Sequence, residues 1–136
     1  MGYMKKFELK TEDNGVHVIT DEIRKIISES HIESGFCIIH CPHTTASLVI
    51  TSYIDENGRL DLAEEFNRLV PCRYDFHHQN DTPTDAAGHV KTALVGTTLT
   101  AIVEQGALLL GSSQGIMFLE YDGPRNRQVY VKVIAG

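Results

Sequence analysis

Residues 36–53 read FCIIHCPHTTASLVITSY, two apolar runs separated by a proline and several polar residues. FCIIHC has the apolar continuity of a buried strand, and ASLVITSY has the β-branched content of a second one. Pro42 should end the first strand, because proline lacks the backbone N–H group that a central strand needs. The interruption carries His43, Thr44 and Thr45, and a run of polar residues beginning with histidine is unusual between two core strands, so this stretch predicts a site as well as two strands.

The segments on either side alternate between strand and helix patterns. Upstream, the sequence predicts a strand over 3–10, a turn over 12–15 and an amphipathic helix that Thr20 or Asp21 caps. Downstream, it predicts helices over 54–71 and 84–96, the latter capped by Thr84 or Asp85, with a loop of about 13 residues between them. Strands follow over 97–105, 107–111, 115–123 and 128–136. The 136 residues therefore indicate one α+β domain, a compact antiparallel β-sandwich-like core with about three helices.

Composition excludes several classes of function. The net charge is −6 and the 12 basic residues are scattered, whereas a sequence-independent nucleic-acid binder needs a basic surface. No apolar run approaches the roughly 20 residues that span a bilayer, and the N-terminus lacks the apolar segment of a signal peptide. We therefore expect a cytoplasmic protein without nucleic-acid or membrane partners. The three cysteines have neither CxxC nor zinc-ribbon spacing.

Histidines suggest a metal or acid–base site. The chain has seven, and histidine is the commonest metal ligand and the usual acid or base near neutral pH. His77 and His78 lie in the predicted loop, whereas Asp85 and His89 are four residues apart and share one face of the predicted helix. Asp85 could bind a metal itself or orient the imidazole of His89. Alternatively, each histidine could be a hydrogen-bonded structural residue, because their spacing matches neither HExxH nor a zinc finger.

The two histidines of the opening stretch are not equivalent. His40 and His43 differ in parity along an extended chain, so they face opposite sides unless Pro42 bends it. Thr44 and Thr45 offer hydroxyl and backbone donors to an oxyanion, although threonine is also simply common in strands. We therefore interpret His43 as the functional residue and His40 as structural.

A second polar region lies near the C-terminus. LLLGSSQG places Gln114 where flanking glycines let a ligand approach the backbone, and FLEYDGPRNRQV places Glu120, Arg125 and Arg127 around a tight turn. The arginines could bind a phosphate group bidentately, or the charges could simply be exposed in a hairpin turn.

Three blocks in order, CPHTTASLVI, DTPTDAAGHVKTALVG and GALLLGSSQGIMFLEYDGPRNRQVYVKV, resemble the YjbQ-like proteins over nearly the whole chain. The resemblance implies a β-rich α+β fold, assembly as a homotrimer and a polar pocket near a subunit boundary. The family is largely uncharacterised and is linked to a secondary, weak thiamine-phosphate synthase activity. The resemblance therefore implies a transferase that acts on small phosphorylated molecules.

The family pattern carries over residue by residue onto this chain, with His78 as the loop histidine and His77 as the other choice. It implies a catalytic set of His43, Asp85 and Glu120. It implies substrate contacts from Thr44, Thr45, Gln114, Arg125 and Arg127. It implies a divalent metal, zinc being the first choice for imidazole ligands, held by His43, His78 and His89.

This chain departs from the family pattern at two places. Thr51 and Ser52 stand where the family has an Asn-Glu pair, and Ser113 stands where an LGxWQ pattern has tryptophan. The substrate could therefore differ from that of the relatives. Two further functions stay open, a non-catalytic module that binds a metal or an anion and a metal-dependent hydrolase.

Overall fold

The computed structural model describes residues 2–136 and consists of two antiparallel sheets and three helices. The strands are β1 (Gly2–Thr11), β2 (Gly15–Val18), β3 (Ser34–His40), β4 (Ala46–Ser52), β5 (Thr98–Glu104), β6 (Ala107–Leu108), β7 (Gln114–Glu120) and β8 (Arg125–Ala135). The helices are α1 (Thr20–Ser30), α2 (Glu56–Leu69) and α3 (Pro83–Val95). One sheet has the order β1-β8-β3-β5-β6 and the other β2-β7-β4, so the predicted α+β architecture is confirmed.

The core lies between the sheets and is closed by α1. Alternate residues of β3 and β8 point inward, as the two-residue period of a strand requires. Three isoleucines of α1, together with Ile19 just before it, form the inner side of this helix, which confirms the predicted amphipathic face. The buried side chains are Cys37 and Ile39 from β3, Val129, Val131 and Val133 from β8, and Ile19, Ile23, Ile26 and Ile27 at α1.

Both predicted helix caps were wrong. Helix α1 begins at Thr20 itself, whose hydroxyl accepts a hydrogen bond from the Ile116 backbone N–H at 2.9 Å instead of capping the helix. Helix α3 begins at Pro83, a favourable first helical residue, and is capped by the Thr82 hydroxyl, which accepts the Asp85 N–H. The short strand β2 was missed, because its four residues follow a turn and have little apolar pattern.

Two connections cross from one sheet to the other at the same end of the molecule. Residues 41–45 join β3 to β4, and residues 121–124 join β7 to β8. The connections contact each other directly, since the Tyr121 N–H donates to the Thr45 carbonyl at 3.1 Å. Helix α3 packs closely on this end, because a Cβ at Gly88 would lie only 3.2 Å from the Thr45 side chain. The fold thus brings polar residues from four separate segments together. No helix within residues 2–136 is long and apolar enough to cross a membrane.

Candidate functional site

Three side chains of types that can bind a metal lie together where the loop 70–82 meets the first turns of α3. Asp85 Oδ2 lies 3.0 Å from His78 Nε2 and 3.1 Å from His89 Nε2. One ligand atom from each of the three residues lies within 4.8 Å of the other two. Tetrahedral zinc ligands at about 2.05 Å are separated by about 3.3 Å. The two distances from Asp85 are close to this separation and therefore fit a shared ion.

The second ring nitrogen of His89 supports the same interpretation. His89 Nδ1 lies 3.1 Å from the carbonyl oxygen of Thr44, which only accepts, so Nδ1 carries a proton. In the neutral imidazole, Nε2 then presents a lone pair toward the Asp85 carboxylate. A lone pair facing a carboxylate oxygen is an arrangement that a bound cation would stabilise. Metal-bound histidines commonly donate their outer N–H to a backbone carbonyl, as His89 does here.

Glu120 and Arg127 form a buried ion pair beside this group. Arg127 Nε donates to Glu120 Oε1 at 2.7 Å, and its terminal nitrogen donates to Glu120 Oε2 and, at 2.9 Å, to Thr45 Oγ1. Thr11 Oγ1 donates to Glu120 Oε1 at 2.6 Å. Burial alone would raise the pKa of Glu120, but the hydrogen bonds from Arg127, Thr11 and the Asp122 amide hold it below its ordinary value. These hydrogen bonds join Glu120, Arg127 and Thr45 into one buried cluster.

Arg125 and Asp122 form a second, more exposed pair. Arg125 donates to Asp122 Oδ2 at 2.8 Å, and the Thr84 hydroxyl donates to Asp122 Oδ1 at 2.6 Å. Burial would raise the pKa of Asp122, but these hydrogen bonds lower it below its ordinary value. The pair fastens the β7–β8 connection to the start of α3. Half of the Arg125 side chain remains exposed.

His43 stands apart from the three-residue group. Its Nε2 accepts the Gln128 backbone N–H at 2.9 Å, so that nitrogen is occupied, and the group within ligand reach contains Asp85 in its place. Burial, followed by the positive charge of Arg127, lowers the pKa of His43 below its ordinary value of 6.5. His43 and His89 nevertheless line the same open cleft, which also includes the exposed Thr44.

His40 also borders this cleft, because the chain turns at Pro42 rather than continuing straight. Its Nδ1 makes a 2.8 Å hydrogen bond with Thr98 Oγ1 on the neighbouring strand. This contact gives His40 a structural role within the β3–β5 pair.

Gln114 does not lie at the end of the molecule that carries the histidine group. It lies at the start of β7, six residues before Glu120, which is roughly 20 Å at about 3.3 Å per strand residue. Its side chain accepts the Gly111 N–H at 2.8 Å. The departures from the family pattern lie beside it, since Thr51 and Ser52 pair with Gly115 and Gln114, and Ser113 bonds to Tyr53. Within one chain, these substitutions are therefore remote from the histidines.

Sequence reasoning missed two polar residues at this end. Thr11 is completely buried against Glu120, and its position at the end of a strand gave no signal. Lys91 is 6% exposed although lysine is rarely buried. A signal was present, because Lys91 follows Thr84 by seven residues on the helix face that also carries Ala87 and Gly88.

Comparison with known proteins agrees with the fold and the motifs. A family model for UPF0047 protein YjbQ-like matches residues 5–136. The UPF0047 protein MJ1081 of Methanocaldococcus jannaschii is 40% identical over 130 residues, covering 95% of this chain and 92% of that protein. The UPF0047 protein YugU of Bacillus subtilis is 36% identical over 132 residues, covering 96% and 98%.

Solved structures show the same architecture. An uncharacterized yjbq/upf0047 family protein from Clostridium acetobutylicum superposes with a TM-score of 0.90 at 34% identity, covering 96% of this chain and 99% of that one. A YbjQ-like protein of unknown function from Sulfolobus solfataricus superposes with a TM-score of 0.94 over 100% of this chain and 99% of that one. At 24% identity, this second likeness supports the fold alone. By its matching model, its relatives and its fold, the chain belongs to the YjbQ-like UPF0047 family.

Proposed function

We propose that this protein is a metal-dependent enzyme that breaks the bond to a phosphate group of a small molecule, with water as the acceptor. The observation that carries the proposal is the His78–Asp85–His89 group, whose outer His89 nitrogen donates to the Thr44 carbonyl. Two imidazoles and one carboxylate are a common ligand set of catalytic zinc, which keeps a coordination position open for substrate or water. The ligand set proposed here therefore replaces His43 with Asp85.

Some residues of the site would bind the metal, and others are free to contact a substrate. A divalent ion bound at this group would supply Lewis-acid stabilisation of the negative charge that develops on phosphate oxygens. His43 accepts a hydrogen bond at Nε2 and so keeps its proton on Nδ1, which it can donate to an oxygen in the cleft. The exposed Thr44 hydroxyl can do the same. These groups suit the binding of an anionic substrate oxygen.

The two arginines differ in what they can offer a phosphate. Arg127 is 5% exposed and its charge is matched by Glu120, so we assign it to the support of the site. Arg125 is half exposed and pairs with Asp122 through one edge of its guanidinium. Arg125 is therefore the arginine we propose as a substrate contact.

The test measures phosphate and diphosphate release from a panel of small phosphorylated compounds by protein stripped with a chelator and then reloaded with zinc. The panel includes hydroxymethylpyrimidine diphosphate with and without thiazole phosphate, so that a thiamine-phosphate synthase reaction is scored beside hydrolysis. We expect activity only in the reloaded protein, its loss in Asp85→Asn, and its retention in Lys25→Ala, a control at an exposed residue of α1. Equal rates in stripped protein, or full activity of Asp85→Asn, would overturn the proposal.

We also propose that the protein assembles as a homotrimer, as the family resemblance implies. Two large apolar side chains, Val90 and Leu94, are exposed one turn apart on the same face of α3. Exposed apolar patches commonly mark contacts with another chain. Light scattering coupled to gel filtration should give three times the mass of one chain, and a monomer mass would contradict this.

A further inference from the structure

A second cavity lies on the other side of α3 from the histidine cleft. It encloses about 290 Å³ between α2, α3 and the end of β7. Asp85 and His89 point to one face of α3, whereas Thr84, Ala87 and Lys91 lie on the face that lines this cavity. Because 3.6 residues make one turn, the two sets lie well apart around the helix axis. The cavity is therefore separate from the proposed metal site.

Lys91 contributes a buried cation to this cavity. The residue is 6% exposed, and its Nζ donates to Asn67 Oδ1 at 2.5 Å. The Tyr121 ring lies beneath the ammonium group, 5.4 Å from Nζ to the ring centroid. Within the described range 2–136, no carboxylate forms an ion pair with Lys91. Two of its three N–H donors thus have no acceptor among these described residues.

The carboxylate that also borders the cavity is already neutralised. Glu120 lines one wall, but both of its oxygens accept hydrogen bonds from Arg127. A buried charge without a counter-ion is costly, and such charges in proteins are usually paired. The cavity therefore contains an excess positive charge with room beside it for a ligand.

We propose that this cavity binds a small organic anion, whose carboxylate or phosphate head pairs with Lys91. The Asn67 side chain bonds to Nζ, and the face of the Tyr121 ring lies against the ammonium group. The remaining wall is mostly apolar and includes Phe66 and Leu119, so the body of the ligand should be apolar or aromatic.

The test is isothermal titration of the full chain with three probes of similar size: phenyl phosphate, benzoate and the neutral benzyl alcohol. Protein treated with a chelator is used, so that binding does not depend on the proposed metal. We expect one or both anions to bind and the alcohol not to bind, with the stronger anion identifying the preferred head group. Lys91→Met should weaken anion binding by about ten-fold to a hundred-fold, the usual value of a charged hydrogen bond.

Controls separate this site from the histidine site and from general charge effects. Lys25→Met removes an exposed lysine on α1 and should leave binding unchanged. His89→Gln should also leave it unchanged, although it should abolish the activity proposed above. Without ligand, Lys91→Met should be at least as stable as the wild type, because an uncompensated buried charge has been removed. Equal binding by Lys91→Met, equal binding of the alcohol, or no binding of either anion at millimolar concentration would overturn the proposal.

Discussion

Replacing Arg127 by methionine should destabilise the protein far more than the same replacement of Arg125, two residues earlier on the same strand. Arg127 is 5% exposed and bonds to both oxygens of Glu120, itself 1% exposed. Without Arg127, Glu120 retains only Thr11 and the Asp122 amide as donors. Removing one partner of a buried ion pair costs about 3–5 kcal/mol, a large part of the roughly 5–15 kcal/mol that stabilises a typical domain.

Arg125→Met is the matched control. The Arg125 side chain is 51% exposed, and the buried Asp122 keeps the Thr84 hydroxyl as a donor at 2.6 Å when Arg125 is removed. We therefore expect a loss of about 1 kcal/mol, the upper end for a pair with an exposed partner. Urea unfolding of the wild type and both variants gives the free energies, and unchanged slopes would show that the unfolded states are comparable. Equal losses in the two variants, or a loss below about 1 kcal/mol for Arg127→Met, would refute the assignment of Arg127 to a structural ion pair.

The pH dependence provides a second readout of the same pair. In the wild type the pKa of Glu120 lies below its ordinary value of 4.5, so the pair stabilises fully above pH 4.5 and less as pH falls through the lowered pKa. In Arg127→Met, burial acts without the ion pair and raises the pKa of Glu120. That variant should therefore lose stability as pH rises through the raised pKa. A parallel pH dependence in both proteins would contradict this assignment.

Three further substitutions test two other parts of the fold by the same urea measurement. Because the pKa of His43 is lowered from 6.5, unfolded chains bind a proton there below that pH while folded chains do not, so wild-type stability should fall as pH drops from 6.5. His43→Gln keeps an acceptor for the Gln128 N–H, and its free energy of unfolding should depend less on pH below 6.5 than that of the wild type. An unchanged pH dependence would exclude a lowered pKa of His43. A Cβ at Gly35 would lie 1.8 Å from the Ile134 carbonyl oxygen, so Gly35→Ala should cost about 3 kcal/mol or more. Gly58→Ala, in the exposed and uncrowded α2, should instead stabilise by up to about 1 kcal/mol, and a similar effect of both alanines would count against the close β3–β8 approach.

The strands and helices could be predicted because they depend on local patterns. The isoleucines of α1 and the apolar runs on either side of Pro42 have the periods of a helix and of strands, and each forms the element expected. The cap of α3 was missed because two threonines, Thr82 and Thr84, adjoin the start of that helix. At α1 a tertiary contact decided the outcome, because the Thr20 hydroxyl bonds to Ile116 on β7 and Ile19 takes the cap position.

The site was only partly predictable, because its residues converge through contacts that no spacing encodes. Asp85 and His89 share a helix face, as their four-residue separation predicts, and Asp85 Oδ2 contacts His89 Nε2. His78 reaches them from a loop without periodicity. The pairing of Arg127 with Glu120 depends on how residues 121–124 cross between the two sheets. A hairpin turn, the alternative considered there from the sequence, does not predict this crossing.

Titration of metal-free protein with Co²⁺ tests the central claim, that His78, Asp85 and His89 bind one divalent ion, most directly. Cobalt replaces zinc in such sites, and its visible absorption reports the ligands and their geometry. We expect roughly one ion per chain in the wild type, in His43→Gln and in His77→Gln, and loss of the visible bands in His78→Gln, Asp85→Asn and His89→Gln. Retention of the bands in His89→Gln with loss in His43→Gln, or no binding by the wild type, would contradict the account.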